Sequence, residues 1–262
     1  MTMATAGRAP VALVTGGRRG IGRGIAVALA EAGFDIVAAD LAEDEDARAT
    51  LEAVRASGRR AAFVVADIAR IETREDVASR AFAAFGTLDC LVNNAGVQVE
   101  KRGDMLDVTP ESFDRVVGVN LRGTFFLTQA IARRMIGETR AKGDPLRSIV
   151  TISSINALFA SPNRPEYCFS KTSLAMMTQM LALRLAPHGI AAYDIRPGVI
   201  RSAMTRPVAE TYDKWIPEHV PEGRWGEPED IGRTIAALAS GALPFATGNS
   251  IYVDGGLHLP TM

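Results

Sequence analysis

Seven short apolar runs, separated by longer helical segments, constrain how this chain can fold. The runs are "VALVT" (11–15), "DIVAAD" (35–40), "AAFVVAD" (61–67), "LDCLVNN" (88–94), "RSIVTISS" (147–154), "IAAYDIRP" (190–197) and "SIYVDGG" (250–256). Most lack the polar alternation of a strand with one wet face, so the sheet they form is expected to be buried on both faces. The helical segments are 20–32, ending at Gly33; 43–57, ending at Gly58; 71–85, ending at Gly86; 110–140, opened by Thr109 and Pro110; 166–187, ending near Pro187 and Gly189; and 228–240, opened by Pro228 with Glu229 and Asp230 in the first turn. This alternation predicts an α/β fold: a mostly parallel sheet of about seven strands, right-handed crossovers and helices on both faces. Only 201–226, "RSAMTRPVAETYDKWIPEHVPEGRWG", breaks the rhythm, with three prolines and two tryptophans. It is expected to be an irregular lid or binding loop. No linker, repeat or low-complexity run divides residues 1–262, which read as one domain.

Composition narrows the partners. The 29 Lys+Arg nearly balance 30 Asp+Glu, so nothing favours nucleic acid or an anionic membrane. No apolar run approaches the ~20 residues of a membrane span. The opening "MTMATAGRA" lacks the apolar core of a signal peptide. Cys90 and Cys168 read as reduced thiols of a cytoplasmic protein, and His188, His219 and His258 are too scattered to suggest a metal site.

Directly after the first strand comes "TGGRRGIG", residues 15–22. Gly16, Gly20 and Gly22 let the backbone turn tightly, approach a pyrophosphate and start a helix whose first amides face the phosphates. A strand, a glycine loop and a helix in this order predict dinucleotide binding. The spacing is G-x-x-x-G-x-G, not the commoner G-x-G-x-x-G. Asp40 ends the second strand, 18 residues past Gly22, where an acid bonds the ribose diol and repels a 2′-phosphate. Arg18 and Arg19 act in the opposite sense, since a guanidinium accepts a 2′-phosphate. A carboxylate facing a phosphate is the stronger effect, so NAD is expected over NADP. Asp67 ends the third strand, placed either to bond the adenine edge or to cap a loop.

"EYCFSK", residues 166–171, sets Tyr167 and Lys171 four apart on one helix face. A phenol has a pKa of ~10, and lowering it to ~7 takes roughly 4 kcal/mol. An ammonium about 4 Å away supplies on the order of 4 kcal/mol at an effective dielectric of ~20. The spacing therefore offers a tyrosine usable as a base near neutrality.

With "TGGRRGIG", "NNAG" (93–96), "YCFSK" and "RPGVI" (196–200) in this order, the sequence resembles the short-chain dehydrogenase/reductase family of compact single-domain type, over about residues 10 to 257. The resemblance implies a doubly wound Rossmann fold and assigns roles. Gly16, Gly20, Ile21 and Gly22 match the cofactor loop, Asp40 the NAD-selecting acid, and Asp67 with Ile68 the adenine contact. Asn93, Asn94, Ala95 and Gly96 match the motif that supports the sheet and lines the cofactor site. Asn120, Ser154, Tyr167 and Lys171 match the catalytic tetrad, with Ser153 a register neighbour of Ser154. Tyr167 is implied as acid–base, and Lys171 also bonds the nicotinamide ribose. Pro197, Gly198 and Ile200 match the loop beside the nicotinamide, with Ser202 where the family usually has Thr. The substrate pocket is expected to involve Ser154, Tyr167, Asn156 and Met204, with Gln98, Leu158, Tyr212 and Trp215.

The expected function is hydride transfer between NAD and a small secondary alcohol, polyol or sugar. A 3-oxoacyl-(acyl-carrier-protein) reductase is the alternative, weakened by Asp40 and by His188 where such enzymes often carry Arg. A non-catalytic NAD-binding regulator is a further alternative. The family is usually tetrameric, which implies 110–140, 166–187 and "SIYVDGGLHLP" at subunit contacts.

Overall fold

In a computed structural model, which describes residues 8–260, the seven runs form one parallel sheet. Seven of the nine residues read as lacking a leader's apolar core lie outside the described residues. The strands are β1 (Val11–Thr15), β2 (Asp35–Asp40), β3 (Ala61–Val65), β4 (Cys90–Asn93), β5 (Arg147–Ile152), β6 (Ile190–Pro197) and β7 (Ser250–Val253), in the spatial order β3-β2-β1-β4-β5-β6-β7. Leu13 of β1 faces Val37 of β2 on one side and Leu91 of β4 on the other. The strand order reverses between β1 and β4, and such switch points open a crevice at the carboxyl ends of the strands.

The continuous apolar strands are explained by two cores. Ala12, Val14, Val92, Val150 and Ile195 pack under α1 (Gly20–Glu31) and a helix at Pro228–Ala239. Their neighbours Val11, Leu13, Leu91 and Ile149 point the other way, under a helix at Arg74–Phe85 and another at Thr124–Gly137. Side chains alternate faces along a strand, so a strand covered on both sides is apolar at every position. Leu13, Leu91 and Ile149 are fully buried, and cutting any one back to Ala is expected to cost about 2–5 kcal/mol.

In chain order the helices are α1, α2 (Glu45–Ala56), α3 (Arg74–Phe85), α4 (Pro110–Val117), α5 (Thr124–Gly137), α6 (Pro165–Leu185), α7 (Ala209–His219) and α8 (Pro228–Ala239). Thr109 caps α4 by accepting from the Ser112 amide at 3.3 Å, as its place before Pro110 predicts. Two expectations change. The segment read as one helix over 110–140 is interrupted by a π-helical turn at Gly118–Gly123, where the backbone bonds slip by one residue. A side chain at Gly123 would lie 2.3 Å from the Ile68 carbonyl, so only glycine fits there. The segment read as irregular, 201–226, contains α7, with Pro217 inside it. Ile216, Val220 and Trp225 bury together there, and this apolar cluster holds the helix despite its proline.

Candidate active site

At the end of β1 the glycine loop is clamped from below by "NNAG". The Asn94 side chain donates to the carbonyls of Thr15 (2.9 Å) and Gly16 (3.1 Å). The Thr15 hydroxyl accepts from the amides of Asn94 (3.0 Å) and Ala95 (3.1 Å). Asn93 reaches sideways to Thr128 of α5 at 2.9 Å, tying β4 to its covering helix. A Cβ on Gly22 would sit 1.9 Å from the Gly16 carbonyl oxygen, so the turn closes only with glycine there. Arg19, the N-cap of α1, makes no side-chain cap bond, which leaves the first-turn amides for an anion. A cradle this tight in front of an uncapped helix fits a pyrophosphate. Gly20 faces Ser202 across the cleft, with 3.8 Å between a Cβ on Gly20 and that of Ser202. Pro197 ends β6, Gly198 packs on Asp254, and Ile200 is buried beyond it, which places this loop opposite the glycine turn.

The ribose corner is acidic. Asp40 accepts from the Leu41 amide (2.8 Å) and the Arg18 amide (3.2 Å). The Arg18 guanidinium bonds Asp44, and Arg19 lies 3.6 Å from Asp46. Both arginines that offered a 2′-phosphate contact are therefore engaged by carboxylates. Asp67 accepts from the Ala69 amide at 3.0 Å and holds its own loop, with Ile68 packed against the core beneath α3 and α5.

The four tetrad positions come together across α6, β5 and the π turn. Asn120 is fully buried: it accepts from the Val97 amide (2.7 Å) and donates to the Val97 carbonyl (3.0 Å) and the Ser170 hydroxyl (3.1 Å). Gly96 sits against it, with room for a Cβ only 3.1 Å from Asn120 Oδ1 and 3.7 Å from Lys171 Nζ. Ser154 caps a short turn by accepting from the Asn156 amide at 3.1 Å. Ser153 is turned away, its hydroxyl donating to the Ile195 carbonyl at 3.3 Å. Lys171 Nζ donates to the Ile152 carbonyl at 2.9 Å and lies 5.6 Å from the Tyr167 ring centre.

The electrostatics differ from the expectation that Lys171 lowers the Tyr167 pKa to neutrality. Burial pushes the phenol above its ordinary value of 10.0, opposed by a hydrogen bond with Ser154 and then by the charge of Arg164. Burial also pulls the Lys171 amine down to about 8, opposed by Asp194. Burying both groups costs more than the ammonium's attraction for the phenolate returns.

The expected substrate residues divide. Tyr212 approaches Tyr167 closely enough to bear on its ionisation. Met204 and Leu158 are exposed at the rim, and Gln98 is half-buried. The Asn156 amide nitrogen is committed to the Phe159 carbonyl (2.9 Å) and the Ser161 hydroxyl (3.0 Å), so it shapes the 155–161 loop and offers no donor to a ligand. Trp215 stacks on His219 at 4.3 Å within α7. Two residues were missed. Ser170 links Asn120 to the Tyr167 carbonyl, which it reaches at 2.8 Å; its place three residues after Tyr167 on the helix was the available signal. Arg164, 5.5 Å from the Tyr167 ring centre, had only its nearness in sequence. Cys90 is buried with its thiol pushed up to about 12, and no metal-binding cluster occurs among the described residues.

The profile of a family described as enoyl-(acyl carrier protein) reductase matches residues 16–258. A 2-dehydro-3-deoxy-D-gluconate 5-dehydrogenase of Dickeya dadantii is 36% identical over 248 residues, 94% of each chain. A solved 3-oxoacyl-[acyl-carrier protein] reductase from Brucella melitensis, in complex with NAD, superposes with a TM-score of 0.93 at 47% identity, covering 97% of this chain and 99% of that one. A gluconate 5-dehydrogenase from Burkholderia cenocepacia, in complex with NADP and tartrate, gives 0.86 at 33% identity, over 95% and 94% of the two chains.

Proposed function

We infer the reaction from one premise: the chain belongs to the short-chain dehydrogenase/reductase family, of compact single-domain type. It is an NAD(P)-dependent oxidoreductase acting on a CH–OH group or the matching ketone. The finer reading is an NAD-linked dehydrogenase of a small alcohol, polyol or sugar. The observation that carries it is Tyr167, Ser154, Lys171 and Asn120 gathered beside the glycine cradle.

Gly16, Arg18, Arg19, Gly20, Ile21, Gly22, Asp40, Asp67, Ile68, Asn94, Ala95, Gly96, Pro197, Gly198, Ile200 and Ser202 would hold the dinucleotide, with Tyr167 and Lys171 beneath its reactive end. When bound, a nicotinamide supplies the hydride acceptor or donor. In oxidation the Tyr167 oxygen takes the proton of the substrate hydroxyl, and Ser154 donates to the same substrate oxygen as negative charge develops. Lys171 keeps a positive charge below the phenol at neutral pH, because its pKa near 8 still exceeds 7. Asn120 positions the π turn and, through Ser170, the first turn of α6. The acids at Asp40, Asp44 and Asp46 support NAD over NADP, since each would repel a 2′-phosphate.

A second reading, a 3-oxoacyl reductase, is favoured by the name of the Brucella relative at 47% identity. A panel of alcohols, sugars, ketones and acetoacetyl thioesters, run with both cofactors, decides. NAD-linked oxidation of a polyol or sugar supports the first reading, and a preference for NADPH with thioesters replaces it. Tight NAD binding without turnover of any compound returns the regulator.

Residues 1–262 act as one domain, with 201–226, α7 included, as the substrate lid. Exposed Phe113, Phe125, Phe169, Met176, Met180 and Leu183 on α4, α5 and α6 support a homotetramer, which sedimentation tests. Among the described residues no helix is long and apolar enough to cross a membrane. The two unpaired thiols support a cytoplasmic setting.

A further inference from the structure

Among the described residues, every arginine withdrawn from solvent donates to an acceptor, except one. Arg18 uses Asp44, Arg59 uses Asp35, Arg140 uses Asp89, and Arg147 uses the Met135 and His188 carbonyls. Arg164 is half-buried, makes no side-chain hydrogen bond or ion pair, and has its Nε fully shielded from water. Its guanidinium carbon stands 5.5 Å from the Tyr167 ring centre.

The neighbouring acids do not answer it. One Glu166 oxygen accepts from the Ser112 hydroxyl at 2.6 Å, and the other, buried without a hydrogen-bond partner, makes no ion pair with Arg164. Glu100 pairs with Arg115 at 3.2 Å, and Asp104 accepts from the Leu106 amide at 2.9 Å. The loop that carries Arg164 is held in place, because the Arg164 amide donates to the Ser161 carbonyl (3.0 Å) and the Asn163 carbonyl accepts from Gly103 (3.2 Å). Arg164 is also the N-cap of α6, whose dipole adds partial positive charge at the same point. A guanidinium is a planar fork of donors that matches a carboxylate with two parallel bonds. An unpaired charge at the edge of a buried site is unfavourable until such a partner arrives.

We propose that Arg164 binds a carboxylate of the substrate, so that the enzyme acts on hydroxy acids and their keto forms, sugar acids included, in preference to neutral alcohols. This rests on the dehydrogenase reading above. The guanidinium lies beside the ring whose hydroxyl would exchange a proton with the substrate oxygen, so a carboxylate bound there stands only a few bonds from the reacting carbon.

The test uses matched pairs with the full-length enzyme: D-gluconate against D-glucitol, and 3-hydroxybutyrate against butan-2-ol. In the wild type the acid of at least one pair is expected to be used at least about tenfold better. Arg164→Gln is expected to raise its KM by roughly ten- to a hundredfold, the range of a hydrogen-bonded charge pair. The loss of the charge beside Tyr167 lowers kcat on both members alike, so the reading is the ratio: in Arg164→Gln the preference for the acid over its neutral partner falls at least about tenfold, and Arg164→Lys recovers part of it. Equal use of both members by the wild type, or an equal loss on both in Arg164→Gln, overturns the proposal. Calorimetric binding of malonate, which cannot be oxidised here, separates the two readings. If no compound turns over but malonate binds the wild type and not Arg164→Gln, the dehydrogenase reading fails and the anion site stands. Malonate binding that is absent from both proteins, or the same in both, removes the anion site.

Discussion

Replacing Lys171 by Met is expected to remove the proposed chemistry and yet stabilise the protein at neutral pH. Burial lowers the amine from 10.5 to about 8, at a position 5% exposed. That gap of 2.5 units corresponds to about 3 kcal/mol, at about 1.4 kcal/mol per unit, as the cost of keeping the charge inside. Methionine retains the unbranched stem and has no charge to bury. It leaves the Ile152 carbonyl without the donor now 2.9 Å away, a loss of about 1 kcal/mol. The variant should therefore be the more stable by about 2 kcal/mol at pH 7. The unfolded chain keeps the lysine proton up to about pH 10.5 and the folded chain only to about 8. Between those values the unfolded state binds more protons, so wild-type stability rises with pH. Below the lower value the penalty is fully present. The variant lacks this dependence, and groups common to both proteins largely cancel in the difference. The gap should thus close by roughly 1.4 kcal/mol for each pH unit above 8. Urea unfolding, followed by the fluorescence of Trp215 and Trp225 from pH 6.5 to 9.5 at one protein concentration, reads this directly. A variant less stable than wild type at pH 7, or a gap that does not change with pH, would refute the reasoning.

Tyr167→Phe should fold normally and keep less than a few per cent of the wild-type alcohol oxidation rate; a larger residue of activity removes the phenol from the mechanism. Because burial raises the phenol, wild-type kcat/KM for oxidation should climb through the alkaline range, and a profile flat from pH 7 to 10 contradicts the assignment. Asp40→Ala should shift the ratio of kcat/KM for NADP over NAD upward by at least about tenfold, since it removes the nearest repulsive carboxylate; an unchanged ratio argues against the acidic corner as the selector.

The strand cores were legible because burial on both faces leaves a mark at every position. Their ends were less so. The runs read to Asp67, Asn94, Ser154 and Gly256, whereas β3, β4, β5 and β7 stop at Val65, Asn93, Ile152 and Val253. The polar tails leave the ladder there, and they are the residues that build the site. The π turn at Gly118–Gly123 left no periodic signature, since a bond slipped by one residue changes geometry and not composition. Helix α7 was masked by Pro217 inside it and by Pro207 and Pro221 on either side, although Tyr212, Trp215 and Ile216 already stood at helical spacing. The tetrad was legible from spacing and resemblance because four-residue spacing fixes a shared face. Its ionisation was not, because desolvation depends on what covers the face. Nearness to Tyr167 in sequence marked Arg164 only faintly, and its want of a partner is a property of the folded neighbourhood.

The buried pair therefore works from an unexpected starting point. An ordinary lysine is only slightly more basic than an ordinary tyrosine. Here burial separates them the other way, with the phenol raised and the amine drawn down to about 8. On the chain's own groups the amine gives up its proton before the phenol does, so the ammonium is a neutral-pH feature that fades where the phenolate would form. The downward pull on the phenol comes instead from Ser154 and Arg164. These two differ in kind. Ser154 is fixed by the turn it caps, so its hydrogen bond belongs to the scaffold. Among the described residues the Arg164 guanidinium has no hydrogen-bond or ion-pair partner, only the Tyr167 ring 5.5 Å away, and its charge is open to neutralisation by whatever carboxylate binds it. A substrate that engages Arg164 thereby weakens one of the forces favouring the phenolate, and the burden of activation shifts to Ser154. Anchoring and activation draw on the same guanidinium, which couples the choice of substrate to the strength of the base.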